Sequence, residues 1–362
     1  MSTRTLTVAI TGMNARADNP GPGVAVGRCL AESGRDVRLV GLAYELLDPG
    51  LYLDGLFAAT YMLPYPSAGE AAFLERLKIV HEEQRIDVLI PCLDAELPAC
   101  IALSDRLAAM GIHTFLPTAD QFALRAKDRL AEAAKAAGVE MPKTATISNP
   151  AFFRTCTQDG WTYPLVVKGC FYDAVVAYDA QQAIAAYHRI AAQWGHPVLV
   201  QRHVAGEEYN LCAIGDGHGG MLGPVMMKKR ALTDKGKAWA GVCVSDRAIE
   251  DASARLIAAL KWRGPCEIEG VRSRTGEFRL LEINPRFPAW VYFTHGVGRN
   301  LPAALLDLID GGLPPVFAAP KVGTMFIRYA QEVVVPLSAF EHVVTEGGRT
   351  SNATSPREGI PA

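Results

Sequence analysis

The sequence lacks a dominant charge. Its 362 residues carry 36 Lys and Arg against 38 Asp and Glu, which leaves a formal net charge of -2. A protein that is drawn to nucleic acid or to an anionic membrane by its overall field needs a clear basic excess, so this balance argues against both partners. We expect small molecules as partners.

The sequence also lacks long apolar runs and cysteine motifs. No run approaches the roughly 18 residues of a membrane helix, and residues 1–10 show neither the basic segment nor the cleavage site of an export signal. We therefore expect a cytoplasmic protein. The eight cysteines include no C-x-x-C pair and no Cys/His cluster at zinc spacing, which favours reduced, mostly buried thiols.

Length and composition predict more than one packed unit. Hydrophobic residues make up 49% of the chain and charged residues 20%, which is enough apolar material for cores and too little charge for a disordered chain. The pattern predicts four segments: a Rossmann-like N-terminal domain (1–118), a linker helix with a small α+β unit (119–203), a C-terminal α+β unit (204–320) and an extension (321–362). Residues 347–362 have almost nothing to bury, and we expect them to be disordered or loosely tethered.

The N-terminal domain is predicted from strict alternation of short apolar strands with helices. Such alternation is typical of a parallel sheet, because adjacent parallel strands need a long crossover connection. The first strand is followed by a glycine-rich turn over residues 11–27, but its spacing is not G-x-G-x-x-G. The turn is compatible with a carboxylate or phosphate site, with plain packing glycines or, least, with a classical dinucleotide site.

The most informative stretch is a predicted β-hairpin over residues 264–286. Glu282 and Asn284 are two residues apart, so their side chains leave the same face of a strand, whereas Leu281 and Ile283 point to the other, apolar face. Glu267 and Glu269 share one face of the preceding strand. Oxygen ligands converging from neighbouring strands suit Mg²⁺, and the alternative is a solvated sheet face with charge pairing.

The residues Leu281-Glu282-Ile283-Asn284-Pro285-Arg286 resemble the terminal signature of the ATP-grasp superfamily. Three upstream segments occur in that family's order: Ala126-Lys127-Asp128 at a helix start, Tyr163-Pro164-Leu165-Val166-Val167-Lys168 on a strand, and the hinge segment 198–209. The resemblance covers about residues 120–312. The N-terminal domain and the segment Asn284-Pro285-Arg286-Phe287 are similar in style to the carbamoyl-phosphate-synthase-like branch, which includes amino-acid and carboxylate ligases.

This resemblance implies the ATP-grasp fold, in which two α+β subdomains clamp a nucleotide beside a Rossmann-like domain. It implies a carboxylate-amine ligase that uses ATP and Mg²⁺, converts a carboxylate to an acyl phosphate and couples it to an amine, releasing ADP and phosphate. The substrate would be an amino acid or a peptide-like metabolite, and a homodimer is possible. The sequence names neither the carboxylate nor the amine.

Roles for individual residues follow from the same resemblance. Lys127 and Lys168 are implied to contact phosphate, and Lys229, rather than Lys228, is implied as a third phosphate contact. Glu208 is implied to contact the ribose. The residues implied to contact adenine are Gln201, Arg202, His203 and Val204. Arg286, with Lys168, is implied in catalysis at the transferring phosphoryl group. The metal ligands would be Glu269, Glu282 and Asn284, because the thirteen-residue spacing from Glu269 to Glu282 favours Glu269 over Glu267. The alternatives are surface lysines, an exposed strand carboxylate at Glu208 and a structural salt bridge at Arg286.

The lid loop after Lys168 departs from the family pattern. Such loops are commonly rich in glycine, whereas residues 169–174 contain one glycine and two aromatics, Phe171 and Tyr172. Three alternatives follow for this loop. It is stiffer than the glycine-rich loops of the family, it contacts the acceptor substrate through an aromatic side chain, or it binds phosphate weakly. Cys170 lacks a partner pattern for nucleophilic catalysis.

Two further questions stay open. The aromatic residues Trp290, Tyr292 and Phe293 either shape an apolar acceptor pocket or pack domains together. The rivals to the ligase hypothesis are phosphorylation of bicarbonate or carbamate, and a nucleotide-binding scaffold without turnover.

Overall fold

In a computed structural model the chain forms three β-sheets with helices packed against them. The structure describes residues 4–125, 127–169, 173–233, 236–312 and 315–351, and only the backbone of Lys127 and Asp128. The mixture of one mainly parallel and two antiparallel sheets confirms the predicted α/β and α+β class. The four segment boundaries stay a prediction.

The N-terminal sheet contains four parallel strands in the order β3-β2-β1-β4. The strands are β1 (Leu6–Ile10), β2 (Val37–Ala43), β3 (Ala59–Met62) and β4 (Val88–Ile90), and the helices are α1 (Gly23–Ala31), α2 (Glu70–Gln84), α3 (Leu97–Ala102) and α4 (Ser104–Ala109). Short 3-10 helices span Pro49–Tyr52 and Pro66–Ala68. Strands β1 and β2 are buried along most of their length, which explains their continuous apolar runs. The predicted parallel sheet is therefore confirmed.

The second unit is a small antiparallel sheet in the order β5-β8-β6-β7. It follows α5 (Ala119–Ala123) and α6 (Lys127–Ala136) and consists of β5 (Thr144–Ile147), α7 (Phe152–Thr155), a 3-10 helix (Cys156–Asp159), β6 (Leu165–Lys168), β7 (Ala174–Ala177), α8 (Ala180–Trp194) and β8 (Val198–Arg202). Asp179 caps α8 by accepting a hydrogen bond from the backbone of Gln182. Phe153, Trp161 and Ile190 belong to a core that this unit has to itself. We call residues 144–202 the lid unit.

The third sheet has six antiparallel strands in the order β13-β12-β9-β10-β11-β14. Its elements are β9 (Gly206–Asp216), β10 (Met221–Leu232), β11 (Ala238–Val244), α9 (Arg247–Leu260), β12 (Arg263–Ser273), β13 (Phe278–Asn284), α10 (Tyr292–Gly296), α11 (Leu301–Ile309) and β14 (Met325–Ile327). Helix α9 covers one face with Leu256 and Ile257, which belong to the same core as Ile268 and Ile283. On the opposite face, Cys212 and Val225 pack in an apolar core with the N-terminal sheet, whereas polar side chains occupy the part formed by β12 and β13.

The C-terminal segment returns to the N-terminal sheet. Helix α12 (Leu337–Glu346) leads into β15 (Gly348–Thr350), which pairs antiparallel with β3. Arg349 forms an ion pair with Asp54, at 2.6 and 2.9 Å. The expectation of a loose chain from residue 347 therefore does not describe residues 348–350, because backbone pairing at a sheet edge needs no apolar side chains. Residues 352–362 lie outside the described residues.

One hydrophobic core joins the N-terminal and third sheets. It contains Val8 and Ile10 from β1 together with Cys212, Val225 and Phe287 from the C-terminal part. None of the lid-unit residues that the structure describes belongs to this core, and the lid unit has a core of its own. The packing thus separates a two-sheet body from a lid unit.

Two observations concern the whole described chain. Seven cysteines, all but Cys170, are free and buried, as expected for reduced core thiols. Within the described ranges, no helix combines the length and the apolar character that crossing a membrane requires.

Candidate active site

The hairpin of β12 and β13 gathers four polar side chains on one face. Glu269 lies opposite Glu282, and Glu267 lies opposite Asn284. Residues that are directly opposite in an antiparallel pair point to the same face. The alternate residues Ile268 and Ile283 are buried under α9. The strand alternation that the sequence predicted is therefore present.

Glu267 is the more deeply buried of the two glutamates on β12, with 5% of the residue exposed. Its Oε1 accepts hydrogen bonds from Trp290 Nε1 (2.6 Å) and Asn210 Nδ2 (2.8 Å), and its Oε2 accepts one from Asn284 Nδ2 (3.1 Å). Burial, and then the negative charge of Glu269, raise the pKa of Glu267 to about 7. The carboxylate is occupied by donors from its own chain.

Glu269 faces a cation instead. Its Oε2 lies 3.4 Å from the ammonium of Lys229, which also lies 2.9 Å from Glu208. Burial acts to raise the pKa of Glu269, but the charges of Lys229 and Lys237 outweigh it and hold that pKa below its usual value. Conversely, burial lowers the pKa of Lys229, and its carboxylate neighbours more than reverse this. Lys229 is therefore a charged group inside the site.

Arg286 follows β13 and reaches across to the N-terminal sheet. Its Nε and Nη2 both lie 2.8 Å from Oδ2 of Asp94, in the loop after β4. Burial acts to lower the pKa of Arg286, but the negative charges of Asp94 and then Glu267 outweigh it and raise that pKa above its usual value. The guanidinium therefore keeps its charge. Oδ1 of Asp94 is buried and has no hydrogen-bond partner among the described residues.

Asp94 was missed by the sequence analysis. The available signal was its position just after a parallel strand, at the carboxyl edge where α/β sheets bind ligands. Glu96 from the same loop is fully buried and accepts hydrogen bonds from the backbone of Cys92 and Leu93 and from Thr11 and Tyr44. It thereby holds together the loops that follow three strands of the N-terminal sheet.

The predicted adenine segment lies at the end of β8. Gln201 is 2% exposed, its Nε2 donates to Thr144 Oγ1 (3.0 Å), and it has strand partners on both sides, Thr144 and Val166. The Arg202 guanidinium donates to the carbonyl of Gly160 (2.9 Å). Sheet pairing thus occupies Gln201, and the backbone N–H of His203 donates to the carbonyl of Pro164 (3.4 Å). Val204 lies beyond these pairings and is the better placed candidate.

The predicted phosphate and ribose contacts lie on two different sheets. Lys168 ends β6 of the lid unit, whereas Glu208 and Lys229 lie on β9 and β10 of the third sheet. Lys228 pairs with Glu207 at 2.6 Å on the exposed face of the sheet, so Lys229 is the one directed to the site. The side chain of Lys127 and residues 170–172, which include Cys170, Phe171 and Tyr172, lie outside the described residues.

The aromatic residues after Arg286 serve packing. Trp290 and Phe293 are each 6% exposed and belong to the core shared by two sheets. The guanidinium carbon of Arg28 lies 3.7 Å from the centroid of the Tyr292 ring, and the Tyr292 hydroxyl donates a hydrogen bond to Glu32; both partners belong to the N-terminal part. Of the two alternatives for these residues, domain packing is the one that the contacts support.

The donor set for a metal is small. Within the described residues no group of three or more His, Cys, Asp and Glu side chains is placed to hold an ion. Glu269 and Glu282 lie opposite one another, and the NH2 group of Asn284 faces Glu267 and Glu269, so its Oδ1 is directed away from them. Two carboxylates and an amide oxygen are hard ligands that fit Mg²⁺ once phosphate and water oxygens complete the octahedron.

Comparison with known proteins gives a structural likeness. No protein-family model matches the chain. A biotin carboxylase from Campylobacter jejuni, solved as a beta-gamma-ATP complex, is similar with a TM-score of 0.67 and 14% identity, covering 88% of this chain and 74% of that one. An L-amino acid ligase from Bacillus licheniformis is similar with a TM-score of 0.62 and 15% identity, covering 85% and 75%.

A third similar structure is the biotin carboxylase domain of a 2-oxoglutarate carboxylase from Hydrogenobacter thermophilus, in complex with MgADP, ADP and bicarbonate. Its TM-score is 0.64 at 14% identity, with 84% of this chain and 69% of that one covered. At such identities the likeness establishes the fold. The chain has the ATP-grasp fold, as the sequence motifs predicted.

Proposed function

We propose that the chain is an ATP-dependent, ADP-forming ligase that phosphorylates a carboxylate and couples it to an amine. The observation that carries this proposal is the polar face of β12 and β13, where Glu269, Glu282 and Asn284 lie beside Lys229 and Arg286 in an ATP-grasp fold. Fold alone does not define a reaction. This charge arrangement is what phosphoryl transfer requires, because anionic oxygens must be screened before a second anion can approach them.

Glu269, Glu282 and Oδ1 of Asn284 would hold Mg²⁺. When bound, the ion supplies charge neutralisation between phosphate oxygens. Around it, Lys229 is fixed by two carboxylates and offers an ammonium to a phosphate oxygen. Lys168 would approach the same phosphates from the lid unit, and Lys127 is proposed for the same role.

The chemistry proceeds in two displacements. An oxygen of the substrate carboxylate attacks the γ-phosphorus of ATP, the bond to the β-phosphate oxygen breaks, and ADP leaves. The amine nitrogen then attacks the acyl carbon, phosphate leaves, and the proton lost by the nitrogen goes to that phosphate. Arg286 would stabilise the charge of the transferring group; the support for this role is that its guanidinium is charged, buried and held by Asp94.

The first test is ADP release from ATP with pools of carboxylates and amines. We expect ADP release over many turnovers only when both are present, because the acyl phosphate formed with ADP must be consumed by the amine. Lys168→Ala should lose this release and bind a non-hydrolysable ATP analogue more weakly in calorimetry. Bicarbonate serves as a separate arm because two of the similar structures are biotin carboxylases. ADP release with bicarbonate alone would contradict the ligase proposal, and absence of any nucleotide binding would contradict the ATP-dependent function altogether.

Four finer expectations belong to the same proposal. The substrates are a small carboxylate and amine, of amino-acid or peptide-like character, and nucleic acid and membranes are not partners. A homodimer and a cytoplasmic location stay predictions. Size-exclusion chromatography with light scattering and fractionation of the producing cells measure them directly.

A further inference from the structure

Glu267 is a buried carboxylate inside the site for which the reaction above has no use. We propose that Glu267 is a positioning residue that fixes the orientation of the Asn284 side-chain amide, so that Oδ1 of Asn284 is turned to the metal side. The part concerning the metal rests on the proposed function. The orientation itself does not.

The contacts of Asn284 carry the argument. Its Nδ2 lies 3.1 Å from Oε2 of Glu267 and 2.8 Å from Oε1 of Glu269. A carboxylate offers only acceptors, so an amide wedged between two carboxylates must present its NH2 group to both of them. The carbonyl oxygen then points the other way, where it has the chemistry of a hard metal ligand.

Glu267 is itself held rigidly. Trp290 Nε1 at 2.6 Å and Asn210 Nδ2 at 2.8 Å both donate to its Oε1. These donors come from the loop after β13 and from β9, so the carboxylate is fixed from two sides and only Oε2 remains for Asn284. Residues that hydrogen-bond to a metal ligand fix the orientation of that ligand and tune its affinity for the metal.

Glu269 alone would not fix the amide in the same way. It is engaged by Lys229 as well and is expected to turn toward the ion when one is bound. Glu267, at 5% exposure and with three donors, has neither freedom nor room to do so. The orientation of Asn284 therefore depends on Glu267 once Glu269 has become a ligand.

Replacement of Glu267 by glutamine makes this dependence measurable. The carbonyl oxygen of the introduced glutamine can keep the contacts to Trp290 and Asn210, but an NH2 group then faces the NH2 group of Asn284. Two donors cannot pair, so the Asn284 amide must rotate or leave. Glu277, which is exposed in the turn of the same hairpin and accepts from Arg279, offers a matched Glu→Gln control.

The first measurement uses the full chain without metal or nucleotide. In ¹H–¹⁵N spectra, the side-chain signals of Asn284 are identified by their loss in Asn284→Ala. We expect Glu267→Gln to shift these signals and to speed their exchange with water, whereas Glu277→Gln leaves them in place. Unchanged Asn284 signals in Glu267→Gln would overturn the proposal, whatever reaction the protein catalyses.

The second measurement is Mn²⁺ affinity in the presence of a non-hydrolysable ATP analogue, followed by the spin resonance signal of free Mn²⁺. Loss of a partner behind a metal ligand typically weakens metal binding about 10- to 100-fold, and we expect this of Glu267→Gln. In an Asn284→Ala background the same change should have little further effect, because its route runs through Asn284.

The double variant Glu267→Gln/Asn284→Ala is compared with the two single variants. If its loss of Mn²⁺ binding free energy equals the sum of the two single losses, Glu267 acts on the metal independently of Asn284, and the positioning role is refuted. Analogue binding without metal should be equal in wild-type and Glu267→Gln protein. A wild-type chain that binds analogue but no Mn²⁺ would contradict the proposed function, while the spectra of the metal-free chain would still decide the orientation of Asn284.

Discussion

At the scale of single residues, the proposed reaction depends most directly on the charge of Glu282. Glu282→Gln keeps the size of the side chain but removes one of the two carboxylates that would hold Mg²⁺. We expect ADP formation to fall on the order of 100-fold or more, as for other preorganised electrostatic groups, with an unchanged circular dichroism spectrum.

The matched control for this variant is Glu277→Gln, which lies in the turn of the same hairpin and should retain its rate. A Glu282→Gln enzyme with wild-type turnover would remove Glu282 from the metal site. It would also remove the main support for the polar face as the reacting centre.

The hairpin residues were predictable because strand geometry is local. A spacing of two residues places Glu282 and Asn284 on one face in any β-strand, and the opposite residues follow from the register of the pair. The structure places Glu269 opposite Glu282 and ties Glu267 to Trp290. This supports Glu269 as the metal ligand, which stays a prediction.

Contacts between distant segments were not predictable. Asp94 and Arg286 are 192 residues apart, and Asn210 and Glu267 are 57 apart, so no periodicity connects them. The adenine role implied for Gln201 stays a prediction. Its motif suggests the adenine edge, but the motif could not show that Gln201 has strand partners on both sides, because strand pairing is decided by the whole sheet.

At the scale of elements, long periodic segments were predicted best. The helix α8 and the alternating strands of the N-terminal sheet follow the sequence pattern closely, since buried strands and amphipathic helices have strong local signals. The sequence pattern of residues 99–110 predicts a single helix, whereas the structure has two, α3 and α4, which are divided at Leu103. The strand β15 was missed because a three-residue edge strand has no hydrophobic periodicity.

The lid unit is the element that we expect to move. Its core is separate from the core of the two-sheet body, so it can rotate without breaking apolar packing elsewhere. Hydrogen exchange in β6 and β7 should slow when Mg²⁺ and a non-hydrolysable ATP analogue are added. At 100 times the Kd of the ligand, the slowing can reach about 100-fold.

Helix α9 is the internal control for this exchange experiment, because it packs on the far face of the third sheet. Its exchange should change little. If the amides of β6 and β7 exchange equally with and without saturating ligand, the lid unit does not change its dynamics on binding, and ATP must enter by a movement of another part of the chain.

At the scale of the whole molecule, the chain closes on itself. The N-terminal sheet and the third sheet share a core, and the C-terminal segment crosses from β14 in the third sheet back to β3 in the N-terminal one. Arg286 and Asp94 connect the same two parts at the candidate active site. The geometry of the site is thus supported by packing that begins and ends in different sheets.

The last prediction concerns this closure. A chain that ends at Gly347 loses β15, the Arg349–Asp54 ion pair and the hydrogen bond from the backbone of Ser351 to Ala58. These exposed hydrogen bonds each contribute about 0.5 kcal/mol, the lower end of the usual range, so the shorter chain should be less stable by roughly 2–3 kcal/mol. A chain that ends at Ser351 keeps these contacts and should unfold at the wild-type temperature.

Differential scanning calorimetry of the two truncated chains measures the difference, which we expect to be a fall of several degrees in Tm for the shorter one. The shorter chain should also self-associate, because it exposes the edge of β3 with its unpaired backbone groups. Equal unfolding temperatures for the chains ending at 347 and 351 would show that β15 lies on the N-terminal sheet without stabilising it. The support of the site would then come from the shared core alone.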